Sequence, residues 1–191
     1  HRFFATDIRA DNDTVSITPV GIPYRDLVRD LVTSPQLKGF NLAHAAGRLP
    51  KGPGGLNIEG LCATPNGVLL IAFRNPIPEG MALLIPLENP EEVILGQTAR
   101  FGNPICLPLG GLGIRAISYV KTQGIYLIIA GPNGPEGIFR IYQWSGNPEA
   151  PPTPIEDVSF SGMQPEGLIV FTSPKPRVLV LSDDGTMKIE A

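Results

Sequence analysis

Three stretches of this chain repeat one order of features, and that repetition limits its fold more than any other property. Residues 57–63 lead to an apolar run at 67–74 and a further run at 80–87. Residues 113–119 lead in the same way to 124–131 and 137–143, and residues 164–170 lead to 177–183 and 186–190. Each unit reads as strand, turn, apolar strand, polar turn, strand. Each begins with a charged residue, Glu59, Arg115 or Glu166, spaced 56 and 51 positions apart by subtraction. Repeats of roughly 40 to 50 residues built from four short antiparallel strands are the signature of a β-propeller. A fourth strand for the first two units is expected at Glu92–Leu95 and Ile155–Phe160. The expected fold is all-β, with β-propeller-type repeats in about three four-stranded blades, a partial propeller carrying one short helical insertion. A sandwich also gives short strands, but it does not need the same motif at the head of every unit.

The first unit shows the local logic. Pro65-Asn-Gly67 separates two β-type runs, the strongest short hairpin signal there is. An antiparallel turn then brings Glu59, at the start of one strand, beside Arg74 and Asn75, at the end of the next. Upstream, Phe3–Ile8 and Thr14–Val20 read as strands around a polar turn at Ala10–Asp13. Pro23–Val32 is the one convincing helix: Leu27, Val28, Leu31 and Val32 form an apolar face, and Pro23 suits a first turn. Ser34-Pro35 should end it. Arg25, Asp26, Arg29 and Asp30 then fall mainly on the solvated side. Phe40–Ala46 fits strand or a turn of helix, and 48–55 reads as a loop. The whole is expected to be a single propeller-like domain over 1–191, with a leading part at 1–55, blades at 56–97 and 112–160, and a partial blade at 164–191.

Charged residues make up 17% of the chain, against roughly a quarter in an average soluble protein. The 22 Gly and 21 Pro are spread through turn positions, which favours short strands over helices and over disorder. A net charge of −3 without a basic block makes nucleic acid an unsuitable partner. No apolar run approaches the roughly 20 residues of a membrane helix, so no transmembrane segment is expected. The start at His1, without Met, fits a processed product or an excised fragment. Of two cysteines, Cys62 lies in an apolar strand run and is expected to be a buried thiol, and nothing clusters Cys and His as zinc needs. Three blades are about half of a propeller, and an open array exposes faces and edges. The chain therefore needs an N-terminal half or a second copy to complete it; the alternative is a compact, irregular β domain.

If the head strands are innermost, Glu59, Arg115 and Glu166 converge from three blades, with Arg74, Asn75 and the Asp183-Asp184 pair at the ends of the second strands. Carboxylates and an amide oxygen are hard donors that suit Ca²⁺, so Glu59, Glu166 and Asp183 are candidate metal ligands. Such an ion would lower the pKa of a bound water and assist hydrolysis. Alternatively, the two guanidinium groups form a pocket for a small anionic ligand. The third reading is that the charges pair with one another and fill the channel, since buried charge must be compensated. His44 is a lone imidazole and His1 is terminal. Residues 110–115 imitate a phosphate loop without the helix it needs, and no nucleophile elbow is present.

Residues 54–61, 70–76, 82–90, 109–115, 126–132 and 165–168 together resemble a bacterial family catalogued as a domain of unknown function and related in pattern to the esterase-like phytase propellers. The resemblance spans about Phe3 to Thr186. It implies a propeller of which this chain matches the C-terminal part, and the expected role is to bind a small anionic molecule or a protein partner at the channel mouth. It leaves the compartment open, the periplasm or the exterior included. The phytase-like members suggest a calcium-assisted phosphoesterase or esterase as one activity, a suggestion resting on fold analogy and the Glu-Gly heads.

Overall fold

A computed structural model describes residues 2–11, 14–134, 137–183 and 185. It is mostly β, 44% strand and 14% helix, in four antiparallel sheets of which none is closed. The chain opens with a two-stranded ribbon, β1 (Phe3–Asp11) and β2 (Thr14–Tyr24). A helical segment follows: α1 (Leu27–Thr33), a 3-10 turn over Pro35–Phe40, and α2 (Leu42–Ala46). The first four-stranded sheet holds β3 (Asn57–Ala63), β4 (Leu69–Asn75), β5 (Ala82–Leu87) and β6 (Ile105–Leu107), with the short helix α3 (Pro90–Val93) between the last two. The second holds β7 (Gly113–Val120), β8 (Ile125–Gly131), β9 (Arg140–Trp144) and β10 (Thr153–Pro154). A two-stranded sheet of β11 (Pro165–Phe171) and β12 (Arg177–Ser182) comes last. The helices are short; among the described residues none is long and apolar enough to cross a membrane.

Alternation along the strands sorts the layers. Leu70, Ala72, Ala82 and Leu84 leave one face of the first sheet and pack with Ile114, Ile117, Ile128 and Trp144 of the second. Ile71, Phe73, Leu83 and Ile85 leave the other face and pack under Leu31, Leu37, Leu42 and Ala45 of the helical segment. The first sheet is therefore covered on both sides, as its near-continuous apolar strands require. Each fully buried Leu, Ile or Phe among them contributes about 1.5–3 kcal/mol. The second sheet in turn meets β11 across its β7 strand, and β3, β7 and β11, the first strands of their sheets, lie side by side. The last sheet is less covered than the two four-stranded ones: Ile169, Leu179 and Leu181 share one face and are exposed.

The hairpin at Pro65-Asn-Gly67 forms as its sequence asks: Gly67 takes φ 84° and the Thr64 N–H donates to Val68 O at 2.8 Å. Four expectations need correction. Pro23 and Tyr24 belong to β2, and the helix starts at Leu27. Asp30 is buried instead of solvated, because the Thr98–Phe101 segment wraps over that side of α1. Glu92 and Val93 lie in α3, and the fourth strand of the first sheet is Ile105–Leu107. Asn89-Pro-Glu-Glu92 is a helix start, with Pro at the first helical position and acid in the first turn, and this outweighs the β-type Val-Ile-Leu that follows. The fourth strand of the second sheet is Thr153–Pro154, ahead of the expected Ile155–Phe160. The expected strand at Thr186–Glu190 lies outside the described residues.

Candidate functional site

The three head residues do converge, and the device that turns them is the same in each sheet. In β3 the ladder pairs Ile58 with Phe73 and Gly60 with Ala72, skipping Glu59. In β7 it pairs Ile114 with Ala130 and Ala116 with Ile129, skipping Arg115. In β11 it pairs Pro165 with Ser182 and Gly167 with Leu181, skipping Glu166. A β-bulge leaves one residue unpaired and re-aims its side chain. Three bulges at matching places thus point two carboxylates and a guanidinium at one another.

Arg115 is the hub, at 2% exposure. Its Nη2 donates to Glu166 Oε1 at 2.5 Å, and its Nε lies 2.7 Å from Glu59 Oε2. That second contact is an ion pair without hydrogen-bond alignment, since neither atom has a well-directed partner. Arg74, also buried, donates from Nη1 to Glu59 Oε1 at 3.0 Å. Its Nε and Nη2 reach the backbone carbonyls of Pro132 and Gly134 at 3.1 and 2.8 Å. Asn57 Nδ2 adds a hydrogen bond to Glu59 Oε1 at 2.8 Å. Burial pushes the Arg115 guanidinium below its ordinary pKa, and the nearby Arg74 charge pushes the same way, while Glu59 and Glu166 oppose both. The Phe139 ring stacks 5.5 Å from the Arg115 guanidinium carbon. It lies in space that a side chain at residue 131 would occupy: a Cβ on Gly131 would come within 2.5 Å of that ring. Gly113 lets β7 approach the end of β4, where a Cβ would sit 1.9 Å from Arg74 O.

Two carboxylates and two guanidinium groups make a balanced cluster. Of the residues proposed from sequence, Glu59, Arg74, Arg115 and Glu166 meet in it. Asn75 is buried beside it but donates to Gly52 O at 2.8 Å. Asp183 is exposed, and its Oδ1 accepts from the Gly185 N–H at 3.1 Å; Asp184 lies outside the described residues. The calcium set of Glu59, Glu166 and Asp183 is therefore not assembled, and among the described residues no three His, Cys, Asp or Glu gather to hold a metal. Cys62 is a buried free thiol, its pKa pushed up by desolvation, and His44 is exposed. Sequence reasoning missed Asn57, Phe139 and the carbonyls of Pro132 and Gly134. No family model, no curated protein and no solved structure matches the chain.

Proposed function

We propose that the chain is a section of a β-propeller that serves as an interaction module, with the Glu59–Arg74–Arg115–Glu166 cluster pinning its blades together at their inner edge. The observation that carries this reading is the state of Arg115: buried, and bonded to carboxylates from two other sheets. An anionic guest needs a free guanidinium, and both are taken up by carboxylates and carbonyls. A calcium ion needs six to eight oxygens, and the two carboxylates here are held by arginines. The adjacency of β3, β7 and β11 and their matching bulges support the propeller arrangement.

Completion of such a propeller falls to the open end. The helical segment already covers the outer face of the first sheet, whereas β11–β12 presents Ile169, Leu179 and Leu181 to solvent. The partner of that face is a further antiparallel sheet, because a sheet apolar on both faces is built to be sandwiched. A double-mutant cycle on Arg115→Met and Glu166→Gln, read by urea unfolding, tests the pinning role. A coupling of about 1 kcal/mol or more is expected for charged partners in contact. A coupling near zero contradicts the reading. So does a calcium-dependent rise in melting temperature that Glu59→Gln abolishes, which is the signature of a metal-assisted hydrolase.

A further inference from the structure

Two of the four sheets have two strands where the others have four, and both leave an apolar face uncovered. In the β1–β2 ribbon Ile8 lies opposite Ile17 and Ala10 opposite Val15, so these four share one face. The alternate positions pair Asp7 with Thr18 and Arg9 with Ser16, which makes the other face polar. That alternation is the pattern of a strand pair with one side buried, yet Ile8, Val15 and Ile17 are 64–69% exposed. The base of the ribbon is fixed: Phe3 packs against the core under the helical segment, and the Ile22 N–H donates to Ile94 O at 2.6 Å. Its outer part projects without cover, and a two-stranded hairpin by itself is marginally stable in water.

The open face of β11–β12 complements it. Arg177, Leu179 and Leu181 alternate onto that face, beside Ile169 and Phe171 of the paired strand. At the turn end the Arg177 guanidinium lies 4.7 Å from the Phe171 ring, and Lys175 stands in the connecting segment. The exposed Asp183 follows at the opposite end. The face is thus basic at one end, apolar in the middle and acidic at the other. The ribbon runs the reverse way, with Asp11 toward its tip and Arg2 and Arg25 at its base, around an apolar hollow of about 370 Å³ walled by Phe4, Pro19 and Pro23. Laid with its tip over the turn, the ribbon meets apolar surface with apolar surface and each charge with its opposite.

We propose that the ribbon of one copy packs on the open β11–β12 face of a second copy, and the second copy's ribbon on the first, in a two-fold dimer. This rests on the reading of the chain as a propeller section whose open end is closed by a further sheet, and it names that sheet. A two-stranded face seven residues long, the length of β11, measures about 24 by 10 Å. Two reciprocal contacts, counted on both partners, then cover about 1,000 Å² before side-chain relief is added, at the lower bound of specific interfaces. Such a contact area gives a dimer of micromolar affinity.

The test is sedimentation velocity of the full chain over about 1–200 µM, a range that brackets that affinity, with Ile17→Lys and Leu181→Lys as variants. Both replaced side chains are exposed, so each variant should keep the parent's circular dichroism spectrum. A concentration-dependent dimer is expected in the parent. Dimerisation should be about tenfold weaker or less in either variant, since each sets an ammonium into an apolar contact twice per dimer. A monomer at every concentration assigns the face to another partner or to further chain and overturns the proposal. So does a dimer that survives Leu181→Lys, which is ribbon on ribbon, or one that survives Ile17→Lys, which is sheet on sheet. Any of these leaves the Arg115–Glu166 coupling as it was, whereas loss of that coupling with the dimer intact rejects the propeller reading alone.

Discussion

The two charged sites of this molecule use similar residues to opposite ends. At the meeting point of β3, β7 and β11, two buried arginines are bonded to two glutamates, Glu59 largely covered and Glu166 reaching solvent. At the edge of α1, Asp30, Glu88 and Arg100 share the wall of an open cleft, and Arg29 Nε lies 3.6 Å from Asp30 Oδ1. Pairing around buried guanidinium groups makes a structural pin, since removal of a glutamate leaves its arginine charged and desolvated. An opening to solvent instead leaves charges hydrated and screened, and their pairing contributes little. Residue type alone does not separate the two cases; the accounting of partners does.

The largest expected effect is at the pin. Arg115→Met leaves Glu59 and Glu166 without their common cation; because Glu59 keeps Arg74 and Glu166 reaches solvent, the unfolding free energy measured in urea should fall by about 3 kcal/mol, the low end for a broken buried pair. Gly113→Ala attacks the same junction through the backbone, placing a Cβ 1.9 Å from Arg74 O. It should cost about 1–3 kcal/mol by the same measurement. Asp30→Asn strips charge from an acceptor of two hydrogen bonds and should cost about 1–3 kcal/mol. A larger loss at Asp30 than at Arg115 would reverse the ranking of the two sites.

Alkaline pH sharpens the contrast. Desolvation and the hydrogen bond to Asp30 hold the Tyr24 pKa above its ordinary 10.0 in the folded chain. Its contribution to stability is therefore complete below pH 10 and is lost as pH rises through the folded value. The fall in urea midpoint above pH 10 should be shallower in Tyr24→Phe than in the parent. The pin contains no tyrosine. The difference between parent and variant therefore isolates the α1 site from the other buried tyrosines, Tyr126 among them with its pKa pushed up to about 12 by burial. The smallest effect belongs to Glu88→Gln, exposed on the cleft rim, which should leave the unfolding midpoint unchanged.

Much of the strand order was legible because it is written in local signals: Pro65-Asn-Gly67 for one hairpin, and the repeated apolar runs for the central strands of two sheets. The convergence of Glu59, Arg115 and Glu166 was legible from their equal place at the head of each unit. The bulges that aim them were not, since a skipped ladder position depends on the neighbouring strand and not on any residue type at 59, 115 or 166. Asp30 was misplaced for a similar reason. Helical spacing puts it off the apolar face of Leu27, Val28, Leu31 and Val32, but the segment that covers it comes from Thr98–Phe101, nearly seventy residues along. At Glu92 the helix-start signal is present in Asn89-Pro-Glu-Glu and decides the structure, although the β-type residues after it point to a strand.

The most direct test of the central claim is the urea unfolding midpoint of the parent chain measured alone, with saturating calcium and with inorganic phosphate. If the central cluster satisfies itself, neither ion moves the midpoint and Arg115→Met lowers it under all three conditions. A midpoint raised by either ion, and a response lost when Arg115 is replaced by Met, would contradict the account and make the cluster a binding site.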